Sequence, residues 1–412
     1  MLRISAMLFA GLLLAEAVAR PDEPAKPAEK KPDEALPAFA AAFRVLKGEV
    51  AAKMDKYYEG TDKEYQAAKN EAERSAVLKR MREGSRKIQR PAAERAMALV
   101  RPHAADPAAV DALVWVVERG SPALAEEAAA ALTKHHAVDP MTISLACRNR
   151  GCPLKWAEPL LRAQLARADL PKPSRPRVLL SLAVLRKTRS ELPAMISESD
   201  DELMADLEGI YGAEALAGFR KIDVAAAEAE AIKLFGELAE KHGSETLAGE
   251  MTYGAFVEAS VYEIRNLSLG KTAPDIRGED TDGAKLALSD YRGRVVLLTF
   301  WGTWCGPCME LVPHERELVD RFRGKPFAIV GVNSDADKAP LKVEIAKAKI
   351  TWRSFWCGEK GPEGAIPAAW NVTSWPTLYV LDHQGVIRAK QLRGASLDRL
   401  LEKLVAEAGA AK

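Results

Sequence analysis

Cysteine is scarce, five in 412 residues, so the chain is not a small disulfide-stapled scaffold. No His-x-x-x-His and no second Cys-x-x-Cys accompanies the one Cys-x-x-Cys present, which leaves a zinc site without its other ligands. No other motif calls for a metal or a cofactor. Neither charge sign is in excess: 59 Lys and Arg stand against 58 Asp and Glu. That balance lacks the electrostatic footprint of a nucleic-acid or anionic-membrane binder. Aromatics make up only 6%, while alanine is plentiful, which favours helix for most of the chain. No apolar run reaches the ~20 residues that span a bilayer. At 412 residues the chain is too long for one average domain, and two or three are expected.

The N-terminus sets the compartment. Met1-Leu2-Arg3 is a short positive start, Ile4 to Ala15 is an apolar core, and Ala17-Val18-Ala19 fits the small-x-small cleavage rule. Residues 1–19 therefore read as a secretory signal peptide, cut after about Ala19. The expectation is a periplasmic or otherwise exported, soluble protein with no stable membrane insertion, in a compartment where disulfides persist. Residues 20–37 are rich in Pro, Glu and Lys with little to bury, which predicts a disordered linker.

Residues 38–262 read as helix after helix. Asp106-Pro107 and Ser121-Pro122 each pair an N-cap with a proline at the first helical position, which predicts helices near 107–118 and 122–134. Pro91, Pro107, Pro122 and Pro140 are placed at helix boundaries. The pattern is that of a helical-hairpin array or an irregular helical domain. Within it, Cys147 and Cys152 are separated by four residues with a Gly bend. In an exported protein the pair reads either as a local structural disulfide or as two buried thiols near a helix end.

From about 263 the helical pattern gives way to β-type sequence. Asp282-Gly283 predicts a hairpin turn between 276–279 and 285–288. An apolar strand at 294–300 then runs into Trp301-Gly302-Thr303-Trp304-Cys305-Gly306-Pro307-Cys308, followed by a helix over 306–323. A Cys-x-x-Cys at a strand-to-helix junction is a redox site with a physical mechanism. Free N–H groups and the positive end of the helix dipole stabilise a thiolate on Cys305, and Cys308, one turn on, can attack a mixed disulfide. A strand at 327–333, a helix at 335–349, a short strand at 354–356, a hairpin of 377–381 and 386–391, and a last helix N-capped by Ser396 complete the order. The fold class is thus multidomain: all-α over 38–262, then α/β over 263–412.

Three features of 270–408 resemble the thioredoxin-fold domain of TlpA/ResA-like thiol–disulfide oxidoreductases, of redoxin or AhpC-TSA type. They are Trp304-Cys305-Gly306-Pro307-Cys308 with Pro313 downstream, Trp375-Pro376-Thr377 ahead of a strand, and the added hairpin before the first long strand. The resemblance implies Cys305 and Cys308 as the reactive pair. It implies Trp304, Gly306, Pro307, Trp375 and Pro376 as its support, with Pro376 cis and packed against the cysteines. It further implies disulfide-bearing protein substrates and an upstream thiol donor, and no cofactor. Two departures matter. Thr299 stands where thioredoxin-like proteins carry a buried acid, and Leu311 stands where many members carry a glutamate, which leaves Cys308 without an identified proton acceptor. Cys357 reads as a small buried hydrophobe or a third redox thiol. The competing functions are a peroxiredoxin-like peroxidase, opposed by Gly302 and Leu298 where that chemistry needs Thr and Pro, and an adaptor whose helical domain binds partners.

Overall fold

The computed structural model describes residues 36–68, 71–152, 154–197 and 201–410. The expected signal peptide, and all of the expected linker but its last two residues, lie outside them. The described chain forms two compact units, one from the described residues of 36–188 and 207–218, the other from those of 189–206 and 219–410.

The first unit is helical. Helix α1 (Ala38–Ala67) buries Phe39, Phe43, Leu46, Val50 and Met54, a stripe at helical spacing. In α2 (Glu71–Val100), Pro91 lies inside the helix rather than at the expected boundary. A proline there removes a hydrogen bond and costs about 3 kcal/mol. Burial of Ala92, Ala93, Ala96, Met97 and Val100 just beyond it offsets that cost and carries the helix on. Helix α3 (Val110–Arg119) is the core of the unit, with Val110 and every residue from Ala112 to Val117 buried. It is followed by α4 (Pro122–His135), α5 (Pro140–Arg148), α6 (Ala157–Ala166), α7 (Arg175–Ser197), α8 (Asp201–Tyr211) and α9 (Ala213–Phe219), of which the end of α7 from Arg189 and the start of α8 to Asp206 belong to the second unit. The predicted caps are present. Asp106 accepts from the Ala108 N–H at 2.8 Å and Ser121 from the Leu124 N–H at 3.3 Å, and Asp139 caps α5 in the same way, accepting from the Met141 N–H at 2.8 Å. Each such cap stabilises its helix by about 1 kcal/mol.

Cys147 and Cys152 do not form the bridge offered as one of their two readings; both are thiols. Cys147 is turned into the buried face of α5, and Cys152 sits in the turn that follows, its N–H bonded to the Asn149 carbonyl. Burial raises both thiols above the ordinary range, which keeps them protonated and unreactive.

In the second unit, α10 (Val224–His242) leads through a small antiparallel pair, β1 (Thr246–Ala248) and β2 (Met251–Thr252), into α11 (Tyr253–Asn266). The predicted hairpin follows as β3 (Arg277–Glu279) and β4 (Lys285–Ala287), with Gly278 opposite Leu286. Then come β5 (Val295–Trp301), α12 (Gly306–Arg321), β6 (Phe327–Asn333), α13 (Lys338–Ala348), β7 (Ser354–Trp356), α14 (Ala365–Ala369), β8 (Thr377–Leu381), β9 (Ile387–Lys390) and α15 (Gly394–Ala410). The last five strands make one sheet in the order β7-β6-β5-β8-β9. Strand β5 pairs parallel with β6 and antiparallel with β8. The last helix begins at Gly394, so Ser396 lies inside it, buried, rather than capping it.

Strand alternation builds the two faces of this sheet. Val296, Leu298 and Phe300 of β5 point to one layer with Leu286, Leu288, Phe355, Trp370 and Tyr379. Val295 and Leu297 point to the other, against Leu318 and Phe322 of α12 and Leu397, Leu400, Leu401 and Leu404 of α15. Every residue of β5 is buried, so the strand reads as a continuous apolar run. On the first face, at the β9 edge, the Lys390 ammonium lies 3.1 Å from Glu263 of α11 and 3.4 Å from Glu191 of α7. Burial alone would pull this amine down, but the two carboxylates outweigh it and hold the ammonium charged.

Candidate active site

Strand β5 ends on buried Trp301, and the chain turns through Gly302, Thr303 and Trp304 before α12 begins. Cys305 is the N-cap of α12. Its Sγ accepts the Cys308 N–H at 3.2 Å, while its carbonyl accepts the N–H groups of Cys308 and Met309. The two sulfurs are joined in a disulfide, with Cα atoms 5.2 Å apart. Both cysteines are buried, and Gly306 and Pro307 between them lie nearer solvent. Around the pair pack Trp301, Val312, Leu341 and Ile350, with Met309, Trp352, Trp356 and Trp375 at the margin.

Trp304 is 53% exposed, the most solvent-open tryptophan of the site, and meets Trp375 edge-on with ring centroids 5.6 Å apart. A side chain at Gly302 would run into the Trp304 indole at 2.5 Å, so the turn requires glycine there. The Trp375–Pro376 bond is cis, and Trp375 packs against the cysteine cluster. The Trp375 main chain makes no hydrogen bond to another described residue, although the neighbouring Pro376 carbonyl accepts from Arg393 at 3.3 Å.

The loop after β6 holds these parts together, and the sequence alone does not single it out. Ser334 donates its N–H to the Trp301 carbonyl at 2.9 Å. Its carbonyl accepts from Trp304 Nε1 at 3.3 Å, and its Oγ accepts from Trp375 Nε1 at 3.1 Å. Asp335 accepts from the Thr303 N–H at 2.9 Å, from the Thr303 hydroxyl, and from the Asn333 amide at 2.7 Å. The Asp335 carbonyl accepts from Trp356 Nε1 at 2.8 Å. A polar Asn-Ser-Asp run at the carboxyl end of a buried parallel strand is the available signal, because that end of an open sheet is where sites assemble.

Cys357 packs in the opposite layer of the sheet from the cysteine pair, with its Sγ 3.8 Å from the Ser334 hydroxyl. Burial pushes its thiol up to about 12. Thr299 is buried and its hydroxyl has no hydrogen-bond partner among the described residues. Leu311 packs against the apolar layer of α15, and Glu310 is exposed. The acid that does go inward from α12 is Glu315, on one stripe with Cys308, Val312 and Leu318. It is 7% exposed and has no hydrogen bond or ion pair with another described residue, and burial lifts its carboxyl to about 8.

Residues 269–390 match the AhpC/TSA family. The thiol-disulfide oxidoreductase ResA of Bacillus thuringiensis subsp. konkukian is 30% identical over 137 residues, 33% of this chain and 76% of that protein. The thioredoxin-like protein YneN of Bacillus subtilis is 37% identical over 121 residues, 29% of this chain and 68% of that protein. The thioredoxin domain of a thiol-disulfide oxidoreductase from Bacteroides vulgatus is 31% identical, the match covering 34% of this chain and 99% of that domain at a TM-score of 0.32. Through its C-terminal third, this chain belongs to the ResA/TlpA-type thiol–disulfide oxidoreductases of the AhpC/TSA family.

Proposed function

We propose that the protein is an exported reductase of protein disulfides, with Cys305 as nucleophile and Cys308 as resolving thiol. The observation that carries the roles is the cap. The Cys305 sulfur receives the Cys308 N–H at the positive end of a 16-residue helix, where negative charge is stabilised. Cys308 is on the inner face, one turn on, within bonding reach of the first sulfur. The Cys305 thiolate attacks a substrate disulfide and expels one substrate thiolate. Cys308 then attacks the Cys305 sulfur of the mixed disulfide, expels the second, and leaves the enzyme oxidised. An upstream dithiol returns two electrons and two protons to the pair.

The surroundings fit an extended polypeptide. Trp304 offers an exposed aromatic face, and the unpaired Trp375 main chain offers a donor and an acceptor for strand-like pairing. Trp304, Gly306, Pro307, Trp375 and Pro376 support the pair rather than react. The Gly-Pro between the cysteines favours reduction over oxidation. The signal-peptide pattern at 1–19 supports export, and no helix among the described residues is long and apolar enough to cross a membrane.

The test uses reduced full-length protein and insulin as a disulfide substrate. Cys305→Ser should abolish turnover, and Cys308→Ser should accumulate a mixed disulfide through Cys305. Retained turnover in Cys305→Ser would remove the assignment.

A further inference from the structure

We propose that Glu315 is the proton acceptor for Cys308, taking the place of the acids missing at Thr299 and Leu311; this rests on the thiol–disulfide reading of the cysteine pair. Glu315 follows Cys308 by seven residues on the same buried stripe of α12, about 10 Å along the axis. Seven residues of helix separate the two side chains too far for direct transfer, so the proposal requires water between the carboxyl and the sulfur.

The sheet under this stretch of helix carries polar side chains at two levels, Thr299 and, opposite Trp301, Asn333, whose amide is taken up by Asp335 at 2.7 Å. On the face of β5 toward α12, Leu297 packs with Leu318, and Trp301 packs with Cys308 and Val312. Thr299 lies between those two, as Glu315 lies between Val312 and Leu318, so hydroxyl and carboxyl occupy the same layer. Across the sheet, Thr299 is in register with Gly331, and Gly331 with Ser354. Gly331 presents no side chain, and a Cβ there would overlap the Ser354 hydroxyl, to which Trp301 Nε1 donates at 3.3 Å. The Thr299 hydroxyl and the indole N–H of Trp352, whose ring packs against both apolar clusters, are buried without a partner. Buried polar groups of this kind are served by ordered water. An apolar helix–sheet contact has no use for a carboxyl at this level, whereas a proton path to Cys308 does.

Among the described residues no charged group pairs with it. On the α15 side, His314 and Arg321 of α12 pair with Asp398, at 2.8 and 3.1 Å, and Arg321 also with Glu402 at 3.5 Å. On the α13 side, Arg316 donates to the Ala348 carbonyl at 3.2 Å, and Lys347 pairs with Glu344. Toward α12, β5, β6 and β8 present Thr299, Gly331 and Leu378 at this level, none of which titrates. Burial alone holds the carboxyl near 8, which leaves a working fraction of the base ionised at neutral pH.

The step balances as follows. In the mixed disulfide, the Cys308 thiol gives its proton to the Glu315 carboxylate through the bridge. The thiolate forms a bond to the Cys305 sulfur as the bond from that sulfur to the substrate breaks, and the substrate leaves as a thiolate. Glu315 then releases the proton to solvent.

The experiment mixes the reduced full-length protein with an aromatic disulfide whose released thiolate is coloured. The first release reports attack by Cys305, the second resolution by Cys308. Glu315→Gln and Glu315→Leu should leave the first phase unchanged and slow the second at least tenfold at pH 7. The wild-type second phase should rise with an inflection near pH 8 that both variants lose. An unchanged second-phase profile in a variant whose first phase is intact overturns the proposal. Absence of the first phase in the wild type would instead overturn the thiol–disulfide reading. Should Glu315→Gln fail to fold, Glu315→Leu, which fills the site with an apolar side chain, gives the same two phases to compare.

Discussion

A buried, unpartnered carboxyl must reveal itself in stability as well as in rate. The Glu315 carboxyl is lifted from 4.5 to about 8 by burial in the folded, oxidised protein. Between those two values the folded state holds a proton that the unfolded state has lost. Stability contributed by this group is therefore complete below about pH 4.5 and drains away as pH rises toward 8. Across that interval each pH unit removes ~1.4 kcal/mol, so roughly 3 kcal/mol is gone by pH 7 and roughly 5 kcal/mol above pH 8. Glu315→Gln keeps the shape and removes the ionisation. Its stability relative to wild type should climb by ~1.4 kcal/mol per pH unit between about pH 5 and 8, while contributions from every other group cancel. Because the chain has two compact units, one global transition is not a sound reporter. Amide hydrogen exchange of β5, the central strand of the unit concerned, is the appropriate assay, with variant and wild type compared at matched pH in the disulfide form. A difference that stays flat from pH 5 to 8 would refute the reasoning, because it would mean that the carboxyl is hydrated or paired and not buried alone.

Two further outcomes follow from the same unit. Lys390→Met should leave Glu191 and Glu263 without their shared cation and cost about 1–3 kcal/mol, read by amide hydrogen exchange of β8 and β9, with most of the loss recovered when Glu191→Gln and Glu263→Gln are added. Asp335→Ala strips the acceptor from the Thr303 N–H and hydroxyl, so the turn carrying Trp304 and Cys305 should loosen. Insulin reduction should fall roughly tenfold while amide hydrogen exchange of β6 quickens by an amount equivalent to about 1–3 kcal/mol.

The local grammar of the chain is plain in the residues. Asp106, Ser121 and Asp139 cap where a short polar side chain precedes a proline, because that pairing has few other uses. Strands β5 and β6, which pair in parallel, can be placed because buried strands of this kind leave nearly uninterrupted apolar runs. What escapes is decided by tertiary contact. Pro91 looks like a boundary until the burial of Met97 and Val100 is known. Ser396 looks like a cap, but the helix has already begun at Gly394. Glu315 looks like one of many helical surface acids, and only its place on the Cys308–Val312 stripe shows that it points inward. Asn333, Ser334 and Asp335 follow a strand as any loop would, and only the folded chain brings them to Trp301, Thr303, Trp304, Trp356 and Trp375.

The Lys390 charge cluster bears on where this enzyme can be cut. The stretch shared with the AhpC/TSA family begins at residue 269 and ends at Lys390. A fragment of those limits would keep the ammonium and discard both carboxylates, and would also lose Leu267 from the layer beneath β5 and all of α15 from the layer above it. The last turn of α11 and the end of α7 brace the sheet of the oxidoreductase unit through Lys390, although both lie outside the residues matched to the AhpC/TSA family. Grafting or trimming the redox unit would have to carry them along.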